Sequence, residues 1–158
     1  MTAVIEQMKF VHVDSVAAIE VKVFTAPWTK QAFIGEILDN NFASYYVAVE
    51  HNEVVGYAGI WTVLDEAHIT TLAVAPQHQG KGIGYALLRH IMAEAASRGA
   101  VRMTLEVRAS NTKAQRLYQK HGFLACGTRP GYYNDEDALI MWLENLDTVC
   151  ENLAGGRS

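Results

Sequence analysis

The chain has 158 residues, half of them apolar and 19 % charged, which suffices for one domain with its own buried core and is ordinary for a soluble globular protein. Its formal net charge is −4, from 13 Lys and Arg against 17 Asp and Glu, which argues against the dense basic stripe of a general nucleic-acid binder. Two cysteines, Cys126 and Cys150, are too few for a disulfide framework, the six histidines show no H-x-x-x-H or H-E-x-x-H spacing, and no apolar run approaches the ~20 residues that cross a bilayer.

The opening "MTAVIEQMKF" lacks the basic start and apolar stretch of a secretion signal, so the expectation is a cytoplasmic protein with no membrane partner and no metal. A first strand is expected near Val4–Val11. A helix follows, with Asp14 or Ser15 as N-cap and Val16, Ile19 and Val23 on one face, stopped by Pro27. "WTKQAFIGEIL" reads as a second helix capped by Thr29, with Phe33, Ile34 and Ile37 as its apolar face. Three runs rich in β-branched and aromatic residues, "SYYVAVE", "VVGYAGIWTVL" and "AHITTLAVA", are separated by the turn material "HN" and "DE" and predict an antiparallel meander.

Beyond Pro76, Ile83, Leu87, Ile91 and Ala95 repeat with helical spacing up to Gly99, a suitable C′ residue. The strand "AVRMTLEVR" follows, then a helix capped by Ser110 or Asn111, with Ala114, Leu117 and Tyr118 inward and Gly122 ending it. Two last strands, "LACGTR" and "ALIMWLEN", close a hairpin across "PGYYNDED". The pattern predicts one mixed α/β (α+β) layer domain over residues 1–150, with residues 151–158 as a flexible tail.

The stretch "QGKGIGY" places Gly80, Gly82 and Gly84 directly before a helix. Glycines there let several N–H groups converge on one point, where the helix's unpaired amides and dipole favour an anion such as a phosphate. A tight turn with no ligand is the plainer alternative. The stretch is not a P-loop, because Lys81 is followed by Gly82 rather than Ser or Thr, and it is not G-x-G-x-x-G after an opening strand, so neither a nucleoside triphosphate nor NAD fits.

With Gln79 the spacing is Q-x-x-G-x-G, which resembles the acetyl-CoA pyrophosphate loop of the GNAT acetyltransferases. "TLAVAPQHQGKGIG", "LEVRASNTKAQRLYQKHGF" and "GYYNDEDALIM" together resemble one branch of them, the ribosomal-protein-alanine N-acetyltransferases (RimI type), from about Trp28 to Trp142. The resemblance implies a single GNAT domain, a central and mostly antiparallel twisted sheet of about seven strands with about four helices on its faces. It also implies a monomer or weak dimer that uses acetyl-CoA as co-substrate.

By that resemblance the amides of Leu72, Ala73 and Val74 hold the pantetheine arm, and Gln79, Gly80, Lys81, Gly82, Ile83, Gly84 and Tyr85 wrap the pyrophosphate. Asn111 touches CoA, Glu106 is the general base acting through water, and the Tyr118 hydroxyl is the general acid at the CoA sulfur. On pattern alone the bland readings stand beside these: Glu106 as a salt-bridged strand residue near Arg102 or Arg108, Tyr118 as a core aromatic, Asn111 as a helix cap. Trp28, Tyr132 and Tyr133 would line the acceptor groove, and Asp135, Glu136 and Asp137 read either as attracting a basic peptide or as an exposed acidic turn. The hairpin carrying them is about three residues shorter than the family's. His68 and His121 read first as packed or surface residues, with a lesser chance of assisting proton transfer.

The implied activity is N-acetylation of the N-terminal α-amine of a protein, alanine of a ribosomal protein among the candidates. The alternatives are a small amine, a polyamine or a protein lysine as acceptor, or a non-catalytic acyl-CoA-binding module. An α-amine of pKa ~7.7 to 8.0 is roughly 10 to 20 % neutral at pH 7, against about 0.04 % for a lysine at ~10.4. That difference of about 3.5 kcal/mol favours the N-terminus for a single carboxylate base.

Overall fold

Among the described residues seven strands, β1 (Val4–Gln7), β2 (Ala43–Glu50), β3 (Glu53–Val63), β4 (Glu66–Val74), β5 (Arg102–Arg108), β6 (Leu124–Arg129) and β7 (Ala138–Leu143), form one sheet in the order β1-β2-β3-β4-β5-β7-β6. The computed structural model describes residues 3–154. Among the described residues five α-helices accompany the sheet where about four were expected: α1 (Val13–Val23), α2 (Lys30–Asp39), α3 (Ile83–Ser97), α4 (Thr112–Lys120) and α5 (Leu146–Ala154). The β4–β5 pair is parallel and registers Glu66 with Arg102, Ala67 with Met103 and His68 with Thr104. The pairs β1–β2, β2–β3, β5–β7 and β6–β7 are antiparallel.

The chain divides into two compact units, one comprising the described residues up to Trp61 with Thr70–Ile91, the other Thr62–Ile69 with the described residues from Met92 onward. In the first, Val13, Val16 and Ile19 of α1, Phe33 of α2, Tyr45 and Val47 of β2 and Tyr57 of β3 make one buried cluster. The Phe33 ring stands edge-on to Tyr45 at 6.5 Å and to Tyr57 at 5.8 Å, a geometry worth roughly 0.5–1.5 kcal/mol per pair beyond area burial. Thr29 caps α2 as expected, its hydroxyl accepting the Ala32 N–H at 3.1 Å. His51 and Asn52, both at positive φ, make the two-residue β2–β3 turn.

Two expectations in this unit need correction. The first strand is only four residues long, and α1 begins at Val13 with His12 at its N-cap rather than at Asp14 or Ser15. A 3₁₀ turn over Phe10–His12 runs directly into the helix, with the Lys9 N–H donated to His12 Nδ1, so Asp14 falls in the first turn and pairs with Lys30 at 3.0 Å.

In the second unit Met103 and Leu105 of β5, Met141 and Leu143 of β7, Phe123 and Leu146 are buried. Gly122 at φ 98° ends α4, with Phe123 N–H donated to the Tyr118 carbonyl at 3.1 Å and Gly122 N–H to that of Gln119 at 3.0 Å. The expected tail is corrected in part: residues 151–154 belong to α5, and 155–158 lie outside the described residues. Among the described residues no helix is long and apolar enough to cross a membrane.

Candidate active site

In the first unit the glycine turn resolves into two roles. Gly80 and Gly82 adopt φ of 82° and 86°, the left-handed region, whereas Gly84 lies in the first turn of α3. A Cβ on Gly80 or Gly82 would have no atom within 4 Å, so the turn is open on that side at the start of a 15-residue helix. That cradle fits an anionic group held by backbone N–H donors. Ile83 is buried, so it can contribute only its backbone, while Tyr85 is 38 % exposed with the Arg89 guanidinium 5.4 Å from its ring centre. Gln79 donates its side-chain amide to the Val74 carbonyl at 3.1 Å, tying the turn to the end of β4. Lys81 Nζ is 3.2 Å from His78 Nδ1 and 3.8 Å from Glu50 Oε1, so its ammonium is already steered. Leu72, Ala73 and Val74 are the last three residues of β4, with Ala73 buried.

Trp28, in the same unit, is half-buried against Phe33 at 5.3 Å, and its backbone N–H is donated to Glu20 Oε2 at 2.9 Å. Glu20 is 3 % exposed and also accepts the Tyr57 hydroxyl at 2.5 Å. Nothing in the sequence pattern marked this buried carboxylate, which fixes the segment between α1 and α2.

In the second unit β5 turns Met103, Leu105 and Val107 into the core and Glu106 the other way. The Glu106 side chain is only 9 % exposed. Arg102 is engaged by Asp65 at 3.0 Å and Glu144 at 3.3 Å, and Arg108 by Asp135 at 2.9 Å and Glu136 at 3.2 Å. Glu106 meets His68 Nε2 at 2.7 Å through Oε1 and Arg129 Nε at 3.5 Å through Oε2. The His68 hydrogen bond above all, with help from the Arg129 charge and against the cost of burial, holds the Glu106 carboxyl below the usual carboxylate range. Sequence reasoning missed Arg129, which sits beside the hairpin with no motif around it.

The aromatic pair Tyr132 and Tyr133 stands edge-on at 4.9 Å, and both hydroxyls feel the Glu106 charge. Tyr133 is pushed up to about 12, by burial first and then by Tyr132 and Glu106. Arg108 lies 4.4 Å over the Tyr133 ring. The acidic turn is already used internally: Asp135 and Glu136 bind Arg108, Glu136 accepts the Ser110 N–H at 2.6 Å, and Asp137 accepts the Gly131 N–H at 2.8 Å. Its carboxylates therefore staple the hairpin rather than waiting for a basic peptide.

Tyr118 is buried, with its ring 5.7 Å from Phe123, and burial raises its pKa, followed by the influence of Tyr133. Asn111 caps α4, its side chain accepting the Ala114 N–H at 3.1 Å. His121, the C-cap of α4, is buried with Nδ1 2.9 Å from the Leu117 carbonyl. Among the described residues no group of three or more His, Cys, Asp or Glu could hold a metal ion.

Residues 13–123 match the model of the Acetyltransferase (GNAT) family, and the chain belongs to that family, whose members use acetyl-CoA. Among its relatives is a Bacillus subtilis protein, 43 % identical over 143 residues (89 % of this chain, 95 % of the other), whose name assigns it provisionally as a ribosomal protein bS18-alanine N-acetyltransferase. The Escherichia coli (strain K12) ribosomal protein bS18-alanine N-acetyltransferase is 36 % identical over 131 residues, 79 % of this chain and 86 % of that one. The crystal structure of the Escherichia coli ribosomal-protein-S18-alanine N-acetyltransferase superposes with a TM-score of 0.81 at 32 % identity, covering 89 % of this chain and 92 % of that one.

Proposed function

We propose that this acetyltransferase is cytoplasmic and moves an acetyl group from acetyl-CoA to the N-terminal α-amine of a protein, alanine of a ribosomal protein being the acceptor its relatives' names carry. The observation that carries the reading is Glu106, a charged and nearly buried strand carboxylate inside "LEVRASN". Acetyl-CoA supplies an activated thioester carbonyl and a thiolate leaving group. The N–H groups of the Gly80–Tyr85 turn would hold its pyrophosphate, and those of Leu72, Ala73 and Val74 its pantetheine arm.

A carboxylate held below its usual range is a weak base. Taking a proton from an α-ammonium of pKa ~7.7 to 8.0 is uphill by about 3.5 units, roughly 5 kcal/mol, even for an ordinary glutamate of ~4.3, and more so for one held below that value. Glu106 therefore does not deprotonate a resting ammonium efficiently. It accepts the proton from an amine that arrives neutral and grows acidic as its nitrogen bonds to carbon. A weak base suits an acceptor that is already partly neutral, which is the N-terminal amine and not lysine.

Tyr118 keeps its proton across the working range, because burial disfavours the phenolate. Against a thiolate of ordinary pKa ~8.5, such a phenol acts more by hydrogen-bond donation than by full proton transfer. Tyr132, Tyr133 and Trp28 are the proposed acceptor contacts, and Asn111 a proposed CoA contact beside its capping role.

The test is CoA release with three acceptors in parallel: a peptide with a free N-terminal alanine, the same peptide blocked at its N-terminus but carrying lysine, and spermidine. Turnover confined to the free N-terminus is expected. Turnover on the blocked peptide or on spermidine at comparable kcat/KM rejects the acceptor.

A further inference from the structure

The Glu106 carboxylate has two unequal oxygens. Oε1 lies 2.7 Å from His68 Nε2, within the range of a charge-assisted hydrogen bond, whereas Oε2 is 3.5 Å from Arg129 Nε, too long for a good one. An ionised carboxylate carries no proton, so the shared hydrogen belongs to His68 Nε2 and the ring is the donor. The two partners differ in anchoring as well. The His68 side chain is 31 % exposed and projects from β4, which is laddered to β5 at that very residue, whereas Arg129 is 57 % exposed at the end of β6. An exposed arginine pair at that distance contributes little. The groups facing Glu106 are thus His68 from β4, Arg129 from β6, and Tyr132 and Tyr133 from the loop after β6.

We propose that His68 is a positioning residue for the general base: its Nε2–H fixes Glu106 Oε1 and so leaves Oε2 as the atom that takes the proton from the acceptor amine. The inference rests on the reading of Glu106 as that base. His68 does not itself carry the proton. It sets the carboxylate's orientation and stabilises its charge, two effects that an amide N–H reproduces and a methyl group does not.

The experiment is kcat and KM against pH for the native enzyme, His68→Ala and His68→Gln, with a peptide bearing a free N-terminal alanine, alongside thermal unfolding of each. In His68→Ala, kcat falls roughly ten- to hundredfold with the KM for acetyl-CoA unchanged, as expected for a misplaced catalytic group. At low pH the slope of log kcat/KM steepens from one to two where Glu106 joins the acceptor amine in taking up a proton. That break moves to higher pH in His68→Ala, because the carboxylate has lost the donor that favours its charged form. His68→Gln restores most of kcat and returns the break toward its native position.

Native kcat and profile in His68→Ala overturn the proposal, as does a folded His68→Gln as slow as His68→Ala, which would make the imidazole itself the proton carrier. Glu106→Gln separates the two levels. If it keeps native turnover the base assignment fails and this inference with it, whereas an inactive Glu106→Gln beside a native-like His68→Ala removes only the role of His68.

Discussion

At the level of single side chains, Glu106 and Tyr118 carry the proposed chemistry, and their environments make different demands on pH. Glu106→Gln is expected to lower kcat by about 10²- to 10³-fold with little change in the KM for acetyl-CoA, and Tyr118→Phe by about 10²-fold, both read by steady-state CoA release. Because His68 and Arg129 depress the Glu106 pKa, kcat/KM of the native enzyme should climb with pH toward the acceptor's own value of ~7.7 to 8.0, with no break near the ordinary carboxylate value. A single break near pH ~4.3 to 5 would contradict it. The same depression gives Glu106 a stabilising contribution that is fully present above the unfolded carboxylate value of about 4.3 and lost as pH falls through the lower folded one. Acid unfolding of Glu106→Gln should therefore show a shallower loss of stability over that window. The residue type and strand position of Glu106 were legible in "MTLEVRA", but its partners were not. Arg102 and Arg108 are its neighbours in sequence, whereas β4 and β6 bring His68 and Arg129 to it, and pairing across strands separated by some 20 to 40 residues leaves no local trace.

At the level of elements, the glycine turn was legible because left-handed backbone has few solutions, yet the three glycines are not equivalent. Gly82→Val places a β-branched residue at φ 86° and should cost about 1–2 kcal/mol, with a marked rise in the KM for acetyl-CoA, whereas Gly84→Ala lies in a helical turn and should be neutral or slightly stabilising. Equal CoA affinity in Gly82→Val and the native enzyme, measured by calorimetry, would remove the cradle assignment. The β2–β3 ladder holds a constraint of another kind. Tyr45 registers against Gly59, and a Cβ on Gly59 would lie 2.2 Å from the Tyr45 ring. That ring is locked, 3 % exposed, with its hydroxyl 2.9 Å from Glu36 and 2.7 Å from Thr70. Gly59→Ala should cost about 1–3 kcal/mol by overpacking, seen as a lower urea midpoint, and Gly59→Ala in a Tyr45→Ala background should cost far less. Helix α5 shows a pattern overlooked rather than absent. Leu146, Val149, Cys150 and Leu153 fall at i, i+3, i+4 and i+7 with Asp147 in the first turn, but a run beside a glycine-rich end reads as a tail unless that spacing is counted.

At the level of the whole molecule, alternation and turn residues revealed the number of strands and the β2–β3–β4 meander, but not the place of β7 between β5 and β6. That insertion depends on Glu106 registering with Ile140 and Leu139 with Thr128, contacts that no local pattern encodes. The acidic balance was equally plain in the sequence, and its meaning changes once the pairs are known. Asp135 and Glu136 are spent on Arg108, so the hairpin offers a cationic acceptor little local attraction, while the net charge of −4 still sets the far field. Far-field steering is screened with the Debye length, ~30 Å at 0.01 M salt and ~10 Å at 0.1 M, whereas a short-range pair within a binding groove is screened much less. For a lysine-rich peptide with a free N-terminal alanine, kcat/KM should therefore fall several-fold, on the order of 3- to 10-fold, across that range with kcat unchanged, because steering acts on encounter and not on turnover. An uncharged peptide of the same length should show a flat response. If the cationic peptide is also flat, the net charge plays no part in recruiting the acceptor. If kcat falls together with kcat/KM, salt is acting on a step after encounter, and steering alone does not account for the response.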